Sequence, residues 1–213
     1  MSERITVSWV FDVISPFAYL GLHDLERLPA HIDLRFVPVL FAGMLSHFGQ
    51  VGPAEIPSKR RFTNRFVLWR ARQLGLPMRF PPAHPFNPLA ALRLVLAAGS
   101  DRRAAAMVLE AVFGEGRDVT DPRVIAELAG RLGVADVERT LSEPAVKQRL
   151  RDNTDWAISL GIFGVPTLVI GRELFWGHDA FGMALDYLND RAGFVDPEMQ
   201  ALETLRVGVE RRR

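Results

Sequence analysis

The sequence predicts an α/β fold in which a long helical segment separates two parts of the chain that contain strands. Three patterns predict it. A strand–helix–strand unit occupies the first part of the chain, helical periodicity follows, and a β-hairpin with one more helix comes near the carboxyl end. Because a helix connects the first two strands, we expect them to pair in parallel.

The first strand is predicted over residues 5–11, where apolar side chains alternate and β-branched and aromatic residues dominate. A helix is expected to begin at Ser15 and Pro16, because serine is a preferred N-cap and proline at the first helical position loses no hydrogen bond. This helix is predicted to end near Pro29, and a second strand follows over residues 32–40.

The middle of the chain has helical periodicity, and residues 41–50 before it are predicted to be a loop. Helix start and stop signals divide it at Asp121–Pro122 and at Gly161, a glycine expected just past a helix end. The predicted helices are residues 58–74, 88–98, 102–113, 121–133, 135–141 and 144–160.

A β pattern returns after the helices. Residues 167–170 and 173–176 are predicted to be the strands of a hairpin, joined by a two-residue turn that begins with glycine. Asp179 is expected to cap a last helix that runs through Leu188. The order of elements is therefore βαβ, a helical insertion, and then ββα.

We expect a discontinuous domain made of residues 1–42 and 161–190, with the helical insertion domain at residues 43–160 between its halves. Residues 191–213 are predicted to form a carboxyl-terminal tail. The arginine run 211–213 at its end is expected to be solvated.

Composition excludes several classes of protein. The chain has 213 residues and no cysteine, which excludes disulfides, thiolate metal sites and cysteine nucleophiles. Its 26 basic and 25 acidic residues nearly cancel, so neither nucleic acid nor an anionic membrane is an expected partner. Its histidines lie far apart, and we expect no metal site. Neither a secretory signal nor a membrane-spanning apolar stretch is evident, so a cytoplasmic protein is expected.

Four short strings carry a family resemblance. They are FDVISPFAYL at residues 11–20, FGEGRDV at 113–119, GVPT at 164–167 and WGHD at 176–179. In this order they resemble the 2-hydroxychromene-2-carboxylate isomerases, relatives of kappa-class glutathione transferases and DsbA-type oxidoreductases, over about residues 5–190. The resemblance implies a thioredoxin-like fold with a large helical insertion, and glutathione as the cofactor.

Ser15 is the candidate catalytic residue. It lies at the amino end of the first helix, which presents free N–H groups and about half a positive charge and suits an anion. Since the chain has no thiol, the resemblance implies that Ser15 donates a hydrogen bond to the sulfur of glutathione, with Pro16 and Phe17 beside it. The alternative is that Ser15 and Pro16 only cap the helix.

Val165 and Pro166 are the second candidate element. An X–Pro bond is cis in only ~5–6% of cases in folded proteins, so a trans bond is expected from the residues alone. The resemblance instead implies a cis proline that faces Ser15. It also implies that the backbone of Val165 pairs with the cysteinyl part of glutathione as an added strand.

The string WGHD is expected to hold the γ-glutamyl end of glutathione. The resemblance implies that Trp176 lines this site and that Asp179 accepts from the ammonium group, while His178 and backbone donors meet the carboxylate. The alternative for Asp179 is the N-cap role given above.

Further site residues are expected between the second strand and the insertion. Gln50 and Lys59 are assigned to glutathione, and Lys59 is preferred over the neighbouring Arg60 and Arg61 because related sequences match it. A basic cluster before a helix is otherwise usually solvated surface, but its charges oppose the helix dipole there and indicate an anionic partner.

The substrate is expected to contact Lys59, Trp69 and Asn87. Trp69 belongs to a row with Phe62 and Phe66 at helical spacing, and such rows usually face a hydrophobic core. The resemblance places Asn87 near an aromatic substrate. Residues 41–50 contain no lysine, although some isomerases carry one in the loop after the second strand, so recognition of the substrate carboxylate is open.

The resemblance implies an isomerase that converts 2-hydroxychromene-2-carboxylate, or a close aromatic analogue, to trans-o-hydroxybenzylidenepyruvate. The resemblance also implies the route, in which glutathione thiolate adds to the substrate, a bond rotates, and the thiolate is eliminated. A kappa-like glutathione transferase is one alternative, and a non-catalytic peptide-binding protein of thioredoxin fold is another. A homodimer is expected.

Overall fold

The computed structural model describes residues 4–209; residues 1–3 and 210–213, which include the predicted solvated run 211–213, lie outside the described residues. The strands are β1 (Ile5–Phe11), β2 (Ile32–Pro38), β3 (Thr167–Ile170) and β4 (Glu173–Trp176). The helices are α1 (Pro16–Asp24), α2 (Phe41–Phe48), α3 (Pro57–Gln73), α4 (Leu89–Ala97), α5 (Arg102–Leu109), α6 (Pro122–Leu132), α7 (Val137–Ser142), α8 (Pro144–Ser159), α9 (Phe181–Asn189) and α10 (Pro197–Leu202).

The strands form one mixed sheet in the order β2–β1–β3–β4. β1 pairs with β2 in parallel, as predicted, with Ile5 opposite Ile32. β3 runs antiparallel to both β1 and β4. The predicted βαβ and ββα halves with a helical insertion between β2 and β3 are confirmed. This arrangement brings the start of α1, which follows β1, close to the segment that precedes β3.

Helices cover both faces of the sheet, so all of β3 and most of β1 are buried. On one face Trp9 stacks on Phe11 with ring centroids 4.4 Å apart, and Phe36 of β2 meets Trp9 edge-on at 5.4 Å. On the other face Val10 packs with Met44 of α2 and with Ile162. Full burial of one such side chain contributes about 1.5–3 kcal/mol, so these contacts hold β1 in the sheet.

The helix α2 (Phe41–Phe48) was not expected, because residues 41–50 were predicted to be a loop. Its N-cap residue, Leu40, makes no side-chain hydrogen bond. Instead, the N–H of Phe41 donates to the carboxylate of Asp12 at 2.8 Å. The capping group therefore comes from a distant part of the chain, and a search for local caps misses this helix.

Other predicted boundaries shift by a few residues. α1 ends at Asp24 and continues as a 3₁₀ turn to Arg27, short of Pro29. β2 ends at Pro38, and α5 passes into a π-helical turn at Glu110–Gly114. The predicted tail contains a 3₁₀ turn and the short helix α10 (Pro197–Leu202). Among residues 4–209, no helix is both long enough and apolar enough to cross a bilayer.

Candidate functional site

The site begins at the amino end of α1. Ser15 is the N-cap of this helix, as predicted, and its Oγ accepts from the N–H of Ala18 at 3.3 Å. The same hydroxyl donates to the carbonyl of Val165 at 3.2 Å. Ser15 is only 7% exposed. It therefore joins the helix start to the segment before β3, which lies 150 residues later in the chain.

The Val165–Pro166 bond is cis. The geometry implied by the resemblance is confirmed, and the trans bond expected from frequencies alone is wrong. Pro166 packs against α1 near Gly21, where an added Cβ would lie 3.5 Å from its ring. Within residues 4–209 the N–H of Val165 has no hydrogen-bond partner, so it is free to pair with an extended peptide.

The GVPT and WGHD strings hold each other in place. The N–H of Gly177 donates to the carbonyl of Pro166 at 2.8 Å. The hydroxyl of Thr167 donates to the carbonyl of Gly164 at 2.8 Å. Trp176 lies so close over Gly164 that an added Cβ would be 2.2 Å from its indole nitrogen. Glycine is therefore needed at position 164 for Trp176 to keep this position.

Asp179 does not cap α9, which corrects one of the two roles expected for it. The helix begins at Phe181, and its N-cap is Ala180 without a side-chain hydrogen bond. The Asp179 side chain is exposed, and among the described residues its carboxylate has no basic group within ion-pair distance. It remains free to accept from an ammonium group.

His178 is buried and 7% exposed, unlike its neighbours in the WGHD loop. Its Nε2 accepts from Nε of Arg70 in α3 at 3.1 Å. Its Nδ1 lies 2.5 Å from Oδ2 of Asp24, at ion-pair distance but outside hydrogen-bond geometry. Protein groups therefore occupy both ring nitrogens, so His178 has no free nitrogen for the predicted contact with a ligand carboxylate.

An exposed aromatic row begins beside Ser15. The ring of Phe17 in α1 packs against the ring of Phe66 in α3, with 6.2 Å between the ring centroids. The Phe66 ring in turn packs against Phe62 and Trp69, at centroid distances of 5.9 Å and 5.8 Å. Phe62 is 68% exposed and Trp69 is 52% exposed. The expectation that this row faces a hydrophobic core is therefore wrong. Because it adjoins Phe17, it offers a flat apolar surface next to the amino end of α1.

The remaining predicted residues lie on the surface. Lys59, in the first turn of α3, and Gln50, after α2, are exposed, and no hydrogen bond joins either to Ser15 among residues 4–209. Asn87 is exposed as well, and its Oδ1 accepts from the N–H of Leu89 at 3.0 Å at the start of α4. The structure therefore brings Ser15, Val165 and Pro166 into one cluster and leaves these three side chains outside its hydrogen bonds.

Asp12, in the first family string, is a buried carboxyl group for which the sequence predicts no role. Its two oxygens accept from the N–H groups of Ile14 at 3.0 Å and Phe41 at 2.8 Å. Burial raises the pKa of Asp12 from 3.8 to about 7, although these two hydrogen bonds lower it. Asp12 connects the turn before Ser15 to the start of α2.

We predict that Asp12 makes the protein less stable as the pH rises. The folded protein keeps this proton up to a pH of about 7, whereas the unfolded chain releases it near 3.8. The free energy of unfolding therefore falls across this window, by about 1.4 kcal/mol per pH unit at the steepest. Denaturant unfolding at a series of pH values should show that Asp12→Asn flattens this slope, while Asp33→Asn, at an exposed position, leaves it unchanged. Equal slopes in wild type and Asp12→Asn would contradict the prediction.

His84 holds the backbone just before Ser15. Its Nε2 is 2.9 Å from the carbonyl oxygen of Ile14. Burial lowers the pKa of His84, and the charge of Arg60 lowers it further, although this hydrogen bond raises it. A carbonyl can only accept, so Nε2 is the donor. The neutral ring therefore fixes the peptide that leads into the helix.

Sequence reasoning missed Arg70, Asp24 and the structural roles of Asp12 and His84. Only Asp12 gave a signal, since it is part of the FDVISPFAYL string. Arg70 and His178 are 108 residues apart, and nothing local marks them as partners.

Comparisons with known proteins identify the family of the chain and agree with its fold. A family model described as a DSBA-like thioredoxin domain matches residues 6–189. Glutathione s-transferase kappa 2 of Caenorhabditis elegans is 30% identical over 210 residues, covering 88% of this chain and 93% of that protein. The 2-hydroxychromene-2-carboxylate isomerase of Pseudomonas putida is 32% identical over 186 residues, covering 83% of this chain and 91% of that protein. A solved structure of a 2-hydroxychromene-2-carboxylate isomerase has a TM-score of 0.79 at 26% identity, covering 95% of this chain and 100% of that one.

Proposed function

Since the chain belongs to the DSBA-like thioredoxin domain family, in the group that contains the 2-hydroxychromene-2-carboxylate isomerases and the kappa-class glutathione transferases, we propose that it is a glutathione-dependent isomerase. Its proposed substrate is 2-hydroxychromene-2-carboxylate or a close aromatic analogue, and its product the trans-o-hydroxybenzylidenepyruvate. The observation that carries this proposal is the position of Ser15, at the start of α1 and opposite cis-Pro166, in a chain without cysteine.

The residues around Ser15 fit glutathione. The free N–H and the carbonyl of Val165 can pair with the cysteinyl residue as one strand pairs with the next. The exposed carboxylate of Asp179 can accept from the γ-glutamyl ammonium group. Bound glutathione would supply a thiolate nucleophile for reversible addition to an unsaturated carboxylate, which involves no net oxidation or reduction.

Ser15 provides the main stabilisation for the sulfur anion. Its hydroxyl can turn from the carbonyl of Val165 to donate toward a negative charge at the start of α1. The helix end adds about half a positive charge. The N–H of Phe17, which has no backbone hydrogen-bond partner in the described part of the chain, is a further donor. Donors that are in place beforehand stabilise a charge without reorganising during the reaction.

The aromatic row supports an aromatic carboxylate as the substrate. An apolar wall is formed by Phe17, Phe66 and Trp69. It begins at Phe17, which directly follows Pro16 in the sequence. Lys59 lies on the same side of α3 as Phe66, two turns toward its amino end, and its charge is not paired with a carboxylate among residues 4–209. A flat ring against the wall and a carboxylate near Lys59 fit this combination of groups.

A stoichiometric assay distinguishes the proposed isomerase from the transferase alternative. The protein is mixed with glutathione and the chromene carboxylate, and both the substrate spectrum and the free thiol concentration are followed. Turnover of many equivalents of substrate with constant thiol supports the isomerase. Loss of one thiol for each substrate molecule supports a kappa-like transferase. Failure to bind glutathione would leave the non-catalytic alternative.

We predict that Trp69→Ala weakens substrate recognition but not glutathione binding. Loss of one aromatic contact should raise the KM for the chromene carboxylate about 5- to 20-fold. The Kd for glutathione, measured by calorimetry, should stay unchanged. Trp156→Ala, which removes a partly exposed tryptophan on α8, is the matched control. Equal KM changes in the two variants would contradict a role for the aromatic row.

A further inference from the structure

Three polar side chains, those of Asp24, His178 and Arg70, contact one another beside the WGHD loop. Asp24 ends α1, His178 precedes Asp179, and Arg70 lies in the last part of α3. The Asp24 and His178 side chains are 11% and 6% exposed, and their contact joins segments that are far apart in the sequence. Burying polar groups is costly unless they are paired, so this arrangement needs an explanation.

The chemistry of the donor and acceptor atoms determines where the proton of the His178 ring lies. A guanidinium group can only donate, so Nε2 of His178 must accept from Arg70 and its ring proton is on Nδ1, toward Asp24. Oδ1 of Asp24 accepts a hydrogen bond from Arg27 at 3.2 Å, and this arginine balances the charge of the carboxylate. Nε of Arg70 is therefore held by a hydrogen bond to a neutral histidine, whose Nδ1 lies 2.5 Å from a carboxylate oxygen of Asp24.

Arg70 keeps the rest of its guanidinium group free. Among residues 4–209 its two Nη groups donate no hydrogen bond to the protein, and no carboxylate lies within 4.0 Å of them. Because His178 holds the Nε atom, Arg70 is kept next to the loop that carries Asp179. Residues 59, 66 and 70 lie within about 40° of one another around α3, so Arg70 is on the side of the aromatic row.

We propose that Arg70, positioned by His178, binds the α-carboxylate of the γ-glutamyl group of glutathione. This inference rests on the proposed function. Asp179 then meets the ammonium group, and Arg70 meets the carboxylate of the same amino-acid end. An arginine fork matches a carboxylate better than a lysine does. Arg70 therefore binds the carboxylate that His178 was expected to bind, and His178 acts as a positioning residue for Arg70.

Calorimetry with two ligands tests this assignment. Glutathione carries the γ-glutamyl group, whereas cysteinylglycine lacks it but keeps the thiol and the glycine carboxylate. Arg70→Gln should weaken glutathione binding about 10- to 100-fold, the usual effect of losing a charged hydrogen bond. Its affinity for cysteinylglycine should stay within about twofold of wild type. Arg72→Gln, an exposed arginine about 200° away around α3, is the matched control and should change neither affinity.

Variants of His178 test the positioning role. His178→Ala removes the acceptor for Arg70 and should reproduce part of the loss for glutathione only. His178→Gln offers a carbonyl oxygen to Arg70 and an N–H to Asp24, so it should recover most of the affinity. A merely structural role would weaken both ligands together. Thermal unfolding of each variant confirms that the protein folds.

The possible outcomes separate this inference from the proposed function. Equal losses for glutathione and cysteinylglycine in Arg70→Gln, or no loss at all, would overturn the assignment of Arg70 while glutathione binding by wild type stands. A raised KM for the aromatic carboxylate with unchanged glutathione affinity would place Arg70 at the substrate instead, and would also overturn it. Wild-type protein that binds neither ligand would overturn both proposals.

Discussion

Ser15→Ala is expected to lower kcat/KM for isomerisation about 100-fold or more while the protein stays folded. The substitution removes the hydroxyl donor at the amino end of α1, and loss of one donor of this kind typically costs about 10²–10³ in rate. It also removes the hydrogen bond that Ala18 makes to Ser15, for which the cost in stability is about 0.5–2 kcal/mol. Steady-state kinetics and denaturant unfolding together measure the two effects.

Asp101→Ala is the matched control for the loss of a helix cap. Asp101 caps α5, and its carboxylate accepts from the N–H of Ala104 at 2.8 Å. Its removal should cost similar stability with little change in activity. If Ser15→Ala lost no more activity than Asp101→Ala at similar stability, Ser15 would be only a cap and the catalytic role would be wrong.

Gly164→Ala is expected to have the largest effect on the architecture of the site. The new Cβ would lie 2.2 Å from the indole nitrogen of Trp176 and 2.8 Å from a ring carbon, so the indole must leave its place. Trp176 then loses its contact with Phe163, now at 4.9 Å between ring centroids. Overpacking of this kind costs about 1–3 kcal/mol. We also expect glutathione binding to fall, because Trp176 begins the WGHD loop.

Gly182→Ala shows what the same change does without the collision. Gly182 lies in α9 with no atom within 4 Å of an added Cβ, so alanine there should be neutral or stabilise the helix by up to about 1 kcal/mol. Chemical unfolding and calorimetry measure both variants. Similar stability and similar glutathione affinity in the two variants would show that the contact between Gly164 and Trp176 has no role.

Local sequence signals predicted the parts of the fold that short segments determine. The alternation in β1, the Ser15–Pro16 start of α1 and the glycine after α8 each depend on neighbouring residues, and the structure confirms all three. The cis bond before Pro166 could be predicted only from the family resemblance, because the frequencies of X–Pro bonds alone favour trans. The contacts between the GVPT and WGHD strings then follow from the pairing of β3 with β4.

Features that depend on distant partners were not predictable from sequence. The start of α2 uses Asp12, 29 residues earlier, and the orientation of Arg70 uses His178, 108 residues later. Helical periodicity identified the row that contains Phe66 and Trp69, but it does not say whether protein or solvent covers a row. The core expected there is therefore replaced by an exposed surface.

The ionisation of bound glutathione tests the central claim most directly. The ultraviolet absorbance of the thiolate is recorded against pH for wild type and for Ser15→Ala, each saturated with glutathione. The account predicts that in wild type the bound thiol ionises well below the ordinary pKa of ~8.5, and that this lowering is largely lost in Ser15→Ala. A bound thiol that ionises in wild type as it does in free solution would contradict the account.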